Sequence, residues 1–146
     1  REQEYNRILG KRIVQEFHKN NRVLSSHLLA FTAFRMIGKR FRHLDLYSLL
    51  RLPDEDLSIE YPEFREKVEF FVKEVMVIHE RGEVGIGDHM RDDIDDVIKH
   101  GLRNLGMYHP EPPLGKTKNG DIVVQNMNLL YFYHNRLLGY DLEKLL

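Results

Sequence analysis

The chain has 146 residues, no cysteine, 42% hydrophobic and 31% charged residues, and a formal net charge of −1. That length holds one sizeable core, and the composition excludes a disordered chain. Without cysteine, neither a disulfide framework nor a thiolate metal site is available, and no signal peptide, membrane span or lipidation motif is legible.

The near-zero net charge conceals a gradient. Residues 1–52 carry eleven Lys/Arg against four Asp/Glu, whereas residues 53–100 carry six against fifteen. Such asymmetry suits a basic face that meets phosphates, anionic lipid or an acidic protein, or two halves that neutralise each other within one domain. The chain begins at Arg1 rather than Met, as expected of a piece cut from a longer protein.

Residues 3–19, QEYNRILGKRIVQEFHK, bring Tyr5, Ile8, Leu9, Ile13 and Phe17 near helical spacing. An amphipathic helix is expected there, with Arg7, Lys11 and Lys19 on its basic face and a weakening Gly10 in its middle. In residues 21–52, NRVLSSHLLAFTAFRMIGKRFRHLDLYSLLRL, Ser25 or Ser26 stands where a helix cap is needed. The helix that follows is apolar on nearly every side from Leu28 to Ile37 and should end near Gly38. A helix without a polar face belongs in the middle of a core, and Arg35 and Lys39 leave this one too short to span a bilayer. Lys39, Arg40, Arg42 and His43 form a basic cluster at its end, ahead of a short apolar helix over 44–52.

Residues 53–62, with two prolines and four acids, read as a linker. Pro62 suits the first turn of a helix over 63–80, whose apolar stripe is Phe64, Val68, Phe71, Val72, Val75 and Ile78. Arg81-Gly82 ends it, and residues 83–86 fit one short strand. Asp88 is expected to cap the next helix, with Met90, Ile94, Val97, Ile98, Leu102 and Leu105 as its stripe and Gly106 as its close. Strands are expected at 107–109 and 114–118, and Asn119-Gly120 is the strongest hairpin signal, followed by a strand over 121–124. Asn126 or Asn128 caps a last helix, 129–138, stopped by Gly139.

The expected fold is mostly α with a small antiparallel β-hairpin, in a single domain spanning 1–146. A helical basic half (1–52) and the linker (53–62) precede a winged-helix-like unit (63–124) and a C-terminal helix (125–146). Winged helices often bind DNA, but Asp92, Asp93, Asp95 and Asp96 crowd the start of the would-be recognition helix and repel phosphate. Nucleic acid is therefore not the expected partner, although a winged-helix nucleic-acid-binding or regulatory module stands as the alternative function.

Eight histidines carry no catalytic signature, since GxSxG, P-loop and HExxH patterns are all missing. His89 and Asp93, four apart, read as an ion pair in an acid-rich first turn. His134, within YFYHNRLLGY, reads as an imidazole held by a backbone group among half-buried aromatics, the tyrosines around it as packing, and Arg136 as a group within reach of an anion. No catalytic residue, cofactor or metal ligand is assigned.

The segment YNRILGKRIVQEFHKNNRVLSSHLLAFTAFRMI resembles the C-terminal half of the bacterial-type glycerol-3-phosphate acyltransferases, and NMNLLYFYHNRLLGYDLE resembles that family's closing tyrosine- and arginine-rich segment. The dihydroxyacetone-phosphate acyltransferases are similar here. The likeness covers nearly the whole chain and is carried by apolar patterns plus the YHNR run. It implies a parent enzyme that moves an acyl group from acyl-carrier protein or acyl-CoA to a glycerol-phosphate hydroxyl, using a His-x4-Asp pair in an N-terminal domain. None of the eight histidines here has Asp five residues on, so the chain is expected to be the non-catalytic companion domain. The expected partners are the catalytic domain of the same parent chain, acyl-carrier protein or acyl-CoA, and an anionic membrane surface. The expected location is cytoplasmic, peripheral on the inner face of the membrane. Arg7, Lys11 and Arg12, with Lys39, Arg40, Arg42 and Arg136, are the residues expected to face such partners.

Overall fold

A computed structural model describes residues 3–9, 21–53 and 57–145. Residues 3–9 are helical (α1) and exposed throughout. The expected continuation of this helix through Gly10, Lys11, Arg12, Ile13, Phe17 and Lys19 lies outside the described residues, as do the linker acids Asp54, Glu55 and Asp56.

A two-residue strand, β1 (Arg22–Val23), leads into α2 (Ser25–Arg40), where eleven of sixteen residues are buried. The stretch without a polar face is the central helix. Its cap differs from expectation: Leu24 takes the N-cap position with no side-chain bond, and Ser25 and Ser26 are buried inside the first turn. The cause is tertiary, because the Ser25 carbonyl lies against Gly101 of a later helix, where no solvated cap fits. Thr32, fully buried in mid-helix, is satisfied by donating to the Leu28 carbonyl at 2.8 Å.

Asp45 caps the short α3 (Leu46–Leu49) by accepting from the Ser48 N–H at 2.8 Å. Then comes β2 (Ser58–Ile59), inside the stretch expected to be a linker. Leu57 and Ile59 are buried there, because β2 pairs with the hairpin far along the chain. The following helix, α4 (Tyr61–Glu80), buries all six residues of its expected stripe. It ends at Gly82, whose φ of 75° permits the Glu83 N–H to reach back to the Ile78 carbonyl at 3.2 Å.

Strand β3 (Gly85–Ile86) pairs in parallel with β1. Helix α5 (Ile94–Met107) begins at Ile94 rather than after Asp88. Residues 88–92 instead form a turn closed by the Met90 N–H on the Gly87 carbonyl, with Met90 plugged into the core at 1% exposure. At its other end α5 runs through Gly106, so the strand expected at 107–109 is helix end and bend.

The hairpin forms as expected: β4 (Leu114–Lys116) and β5 (Ile122–Val124) are antiparallel, with Gly120 at φ 89° in the turn. Strand β2 flanks β5 on its other side, giving the order β2-β5-β4. The path α2-β2-α4-α5-β4-β5 with that order is winged-helix connectivity. The strand that joins the hairpin is Ser58–Ile59 and not 83–86, and α2 precedes it in that path. Asn126 caps α6 (Met127–His134) through the Leu129 N–H at 3.0 Å, and 3₁₀ turns follow at Asn135–Leu137 and Leu142–Lys144. The helices α4, α5 and α6 all pack on α2, and one continuous core joins them.

Candidate anion-binding surface

The C-terminal turn of α2 gathers the basic cluster. Lys39 and Arg40 sit where cations complement the helix dipole, and both are exposed, as is Arg42 just beyond. Lys39 is shared by two adjoining clefts. One, of about 310 Å³, is lined by Arg35, Lys39 and Arg42 over Phe34, Gly38 and Leu49. The other, of about 330 Å³, is lined by Met36, Lys39, Arg40, Glu63 and Lys67. Arg40 also donates to the Ser58 carbonyl at 3.0 Å, which ties the cluster to β2.

Two members escaped sequence reasoning. Arg35 lies one helical turn before Lys39, a signal visible in the sequence once the helix is drawn. Lys67 arrives from α4, and only the tertiary packing of α4 on α2 reveals it. Arg35 is held by donating from Nη2 to the Glu143 carbonyl at 2.6 Å, while its buried Nε has no hydrogen-bond partner among the described residues. Lys39 and Arg42 enter none of the ion pairs between described side chains, whereas acids of α4, α5 and the 88–92 turn pair with Arg65, Lys73, His89 and His100. The basic half thus keeps these two charges turned to solvent.

The other expected residues do not join them. Arg7 is exposed on α1, and Lys11 and Arg12 lie outside the described residues. Arg136 is exposed beside His27, near the opposite end of α2. His27 and Lys39 are twelve residues apart on one helix, hence separated by roughly 18 Å along its axis. Burial, then the Arg136 guanidinium, hold the His27 imidazole down at about 4. A third cleft opens there, of about 290 Å³, lined by Leu24, Ser26, His27, Asn104, Leu105, Tyr108 and Tyr133. The Tyr133 hydroxyl lies 2.7 Å from His109 Nε2, and its ring stacks over His27. Leu24 and Tyr108 are exposed at 39% and 76%, so this cleft is an apolar, aromatic one.

His134 is buried, Tyr131 and Tyr133 beside it are half-buried, and its partner is a side chain, not a backbone group: Nδ1 lies 3.1 Å from Asn135 Oδ1. His89 pairs with Asp92 at 3.0 Å rather than with Asp93, because the helix that would have aligned the latter starts too late. Asp92 and Asp95 are engaged by His89 and Arg65, while Asp93 and Asp96 are exposed. Among the described residues no helix is long and apolar enough to cross a membrane. No family model, curated protein or solved structure matches the chain.

Proposed function

We propose that the chain is the non-catalytic C-terminal domain of a glycerophospholipid-synthesis acyltransferase, seated on the catalytic domain of the same parent chain. Its Lys39 face meets an anionic partner, either acyl-carrier protein or the headgroups of the inner membrane surface. The family reading rests on the resemblance of residues 5–37 and 126–143 and on the lack of a His-x4-Asp pair. The aromatic cleft of Leu24, Tyr108 and Tyr133 suits the seat on a catalytic domain, being apolar and open.

The observation that carries the anionic partner is the convergence of Arg35, Lys39, Arg40, Arg42 and Lys67 on two adjoining clefts. Each basic residue near an anionic surface contributes about 1 kcal/mol, so the loss of two weakens binding roughly thirtyfold. Charge reversal at Lys39 and Arg42 together (K39E/R42E) tests this while sparing Arg40, which holds β2. The double variant should keep its melting temperature and lose salt-sensitive sedimentation with anionic liposomes or retention on immobilised acyl-carrier protein. A wild-type chain that binds neither probe overturns the reading.

A winged-helix nucleic-acid module is the second reading, favoured by the β2-β5-β4 connectivity. Against it, the start of α5 presents Asp93 and Asp96 to solvent, where a groove would press phosphates upon them. At about 0.15 M salt no specific duplex binding is expected. Enrichment of a defined site in an unbiased oligonucleotide selection would reverse the preference between the two readings.

A further inference from the structure

The turn between α4 and α5 brings together three side chains that the anionic-partner reading does not use. Asp92 Oδ2 lies 3.0 Å from His89 Nδ1 and 3.9 Å from His100 Nε2. The two imidazole rings stack at 3.8 Å between centroids with 15° between their planes. All three donor atoms fall within 4.8 Å of one another. His89 and Asp92 flank Met90, which is sunk into the core, and His100 stands on α5, so a buried plug and a helix both limit how far the trio can drift apart.

One hydrogen bond between His89 and Asp92 accounts for two of these groups. It leaves unexplained why a second imidazole lies flat on the first with its nitrogen turned to the same carboxylate oxygen. A nitrogen on each ring and the carboxylate oxygen are three donor atoms of the kind a metal ion takes, and, because an imidazole lone pair lies in its ring plane, the rings swing out of the stack to face one ion. We propose that His89, Asp92 and His100 bind a divalent transition-metal ion, with Zn²⁺ the best match. Imidazole nitrogen with carboxylate oxygen and no thiolate suits Zn²⁺ and its neighbours and disfavours the oxygen-seeking Mg²⁺ and Ca²⁺. Bonds of about 2.0–2.2 Å place tetrahedral ligand atoms roughly 3.4 Å apart. Side-chain rotation reaches that spacing, with the His89–Asp92 pair opening from 3.0 Å and His100 closing from 3.9 Å, and exposures of 47%, 37% and 28% leave room for it.

Three protein ligands leave the fourth position to water or to a group from a partner. Asp88, Asp93 and Asp96 add negative charge nearby and raise the local concentration of cations. The ion would staple the 88–92 turn to α5.

The test is calorimetric titration of Zn²⁺ into the chelator-treated chain, carrying no affinity tag, alongside the H89A, H100A and H43A variants. One ion per chain is expected, with H89A and H100A each weakening it at least tenfold to a hundredfold, the loss typical of even an outer-shell partner. H43A, an exposed histidine elsewhere, should bind as the parent does. Far-ultraviolet circular dichroism of the metal-free variants should overlay the parent, since both histidines are solvent-accessible. A tetrahedral Co²⁺ spectrum that disappears in H100A reports the same ligands independently. Binding that H89A and H100A leave intact, or no binding at tens of micromolar Zn²⁺, overturns the proposal.

Discussion

His134 sits among rings: Phe31 lies parallel at 5.1 Å, Phe34 at 4.5 Å and Tyr131 at 5.8 Å between centroids. A proton at Nδ1 serves the bond to the Asn135 oxygen, and the buried Nε2 then has no partner among the described residues. Protonating it would place a cation inside the core, beside Arg35. Burial accordingly holds the imidazole down at about 4, against the small upward pull of Asn135, and Arg35 adds to the lowering. The unfolded chain takes up this proton near 6.5, so between pH 6.5 and 4 it binds more protons than the folded chain. Stability is therefore whole above pH 6.5 and is lost as pH falls toward 4, by about 3 kcal/mol for His134 alone. Urea melts at pH 7 and pH 4.5 should show that loss, and H134F, which keeps the stack but cannot titrate, should remove most of it. An unchanged slope in H134F would assign the acid sensitivity elsewhere, with His27 the next group in line, since it shifts the same way.

Helices α2 and α5 meet at Gly101. A methyl group there would overlap Leu29 Cδ1 and come within 2.8 Å of its Cγ and 3.1 Å of the Ser25 carbonyl. Leu29 is fully buried and has nowhere to swing. Alanine gains about 1 kcal/mol of helix propensity over glycine, but overpacking costs roughly 1–3 kcal/mol, so G101A should lower the denaturation midpoint. Joined to L29A, which alone costs about 2–5 kcal/mol, it should cost less than the two changes summed. Full additivity would mean the methyl group does not meet Leu29 at all. The same contact explains what was legible in this fold and what was not. The stripe of α4, the Asn126 cap and the Asn119-Gly120 turn were readable because each is decided within a few neighbouring residues. The start of α2 was not, since Ser25 and Ser26 are claimed by α5, more than seventy residues away. The pairings of β1 with β3 and β2 with β5 were equally hidden, being two-residue ladders closed across long loops.

Across the whole molecule, Lys39 and Arg42 of the basic half enter no ion pair with the acidic half among the described residues. The sequence located Lys39, Arg40 and Arg42, because a charge run at the end of an apolar helix is a local pattern. It could not locate Lys67, which only the crossing of α4 brings in, nor could it separate Arg136 from the rest, because that distance is measured along α2. That helix also has a history in time. Its apolar surface is covered mainly by α5 and α6, whose residues end at 107 and 134. A ribosome adding 5–20 residues per second needs roughly 5–20 s to go from Phe34 to His134. During that interval α2 gains α4 and then α5 as cover, and a chain halted before residue 127 leaves the face that α6 packs on exposed. The face of α2 that α6 covers therefore stays open until residues 127–134 emerge, and whatever shields it near the exit tunnel guards against aggregation in the meantime.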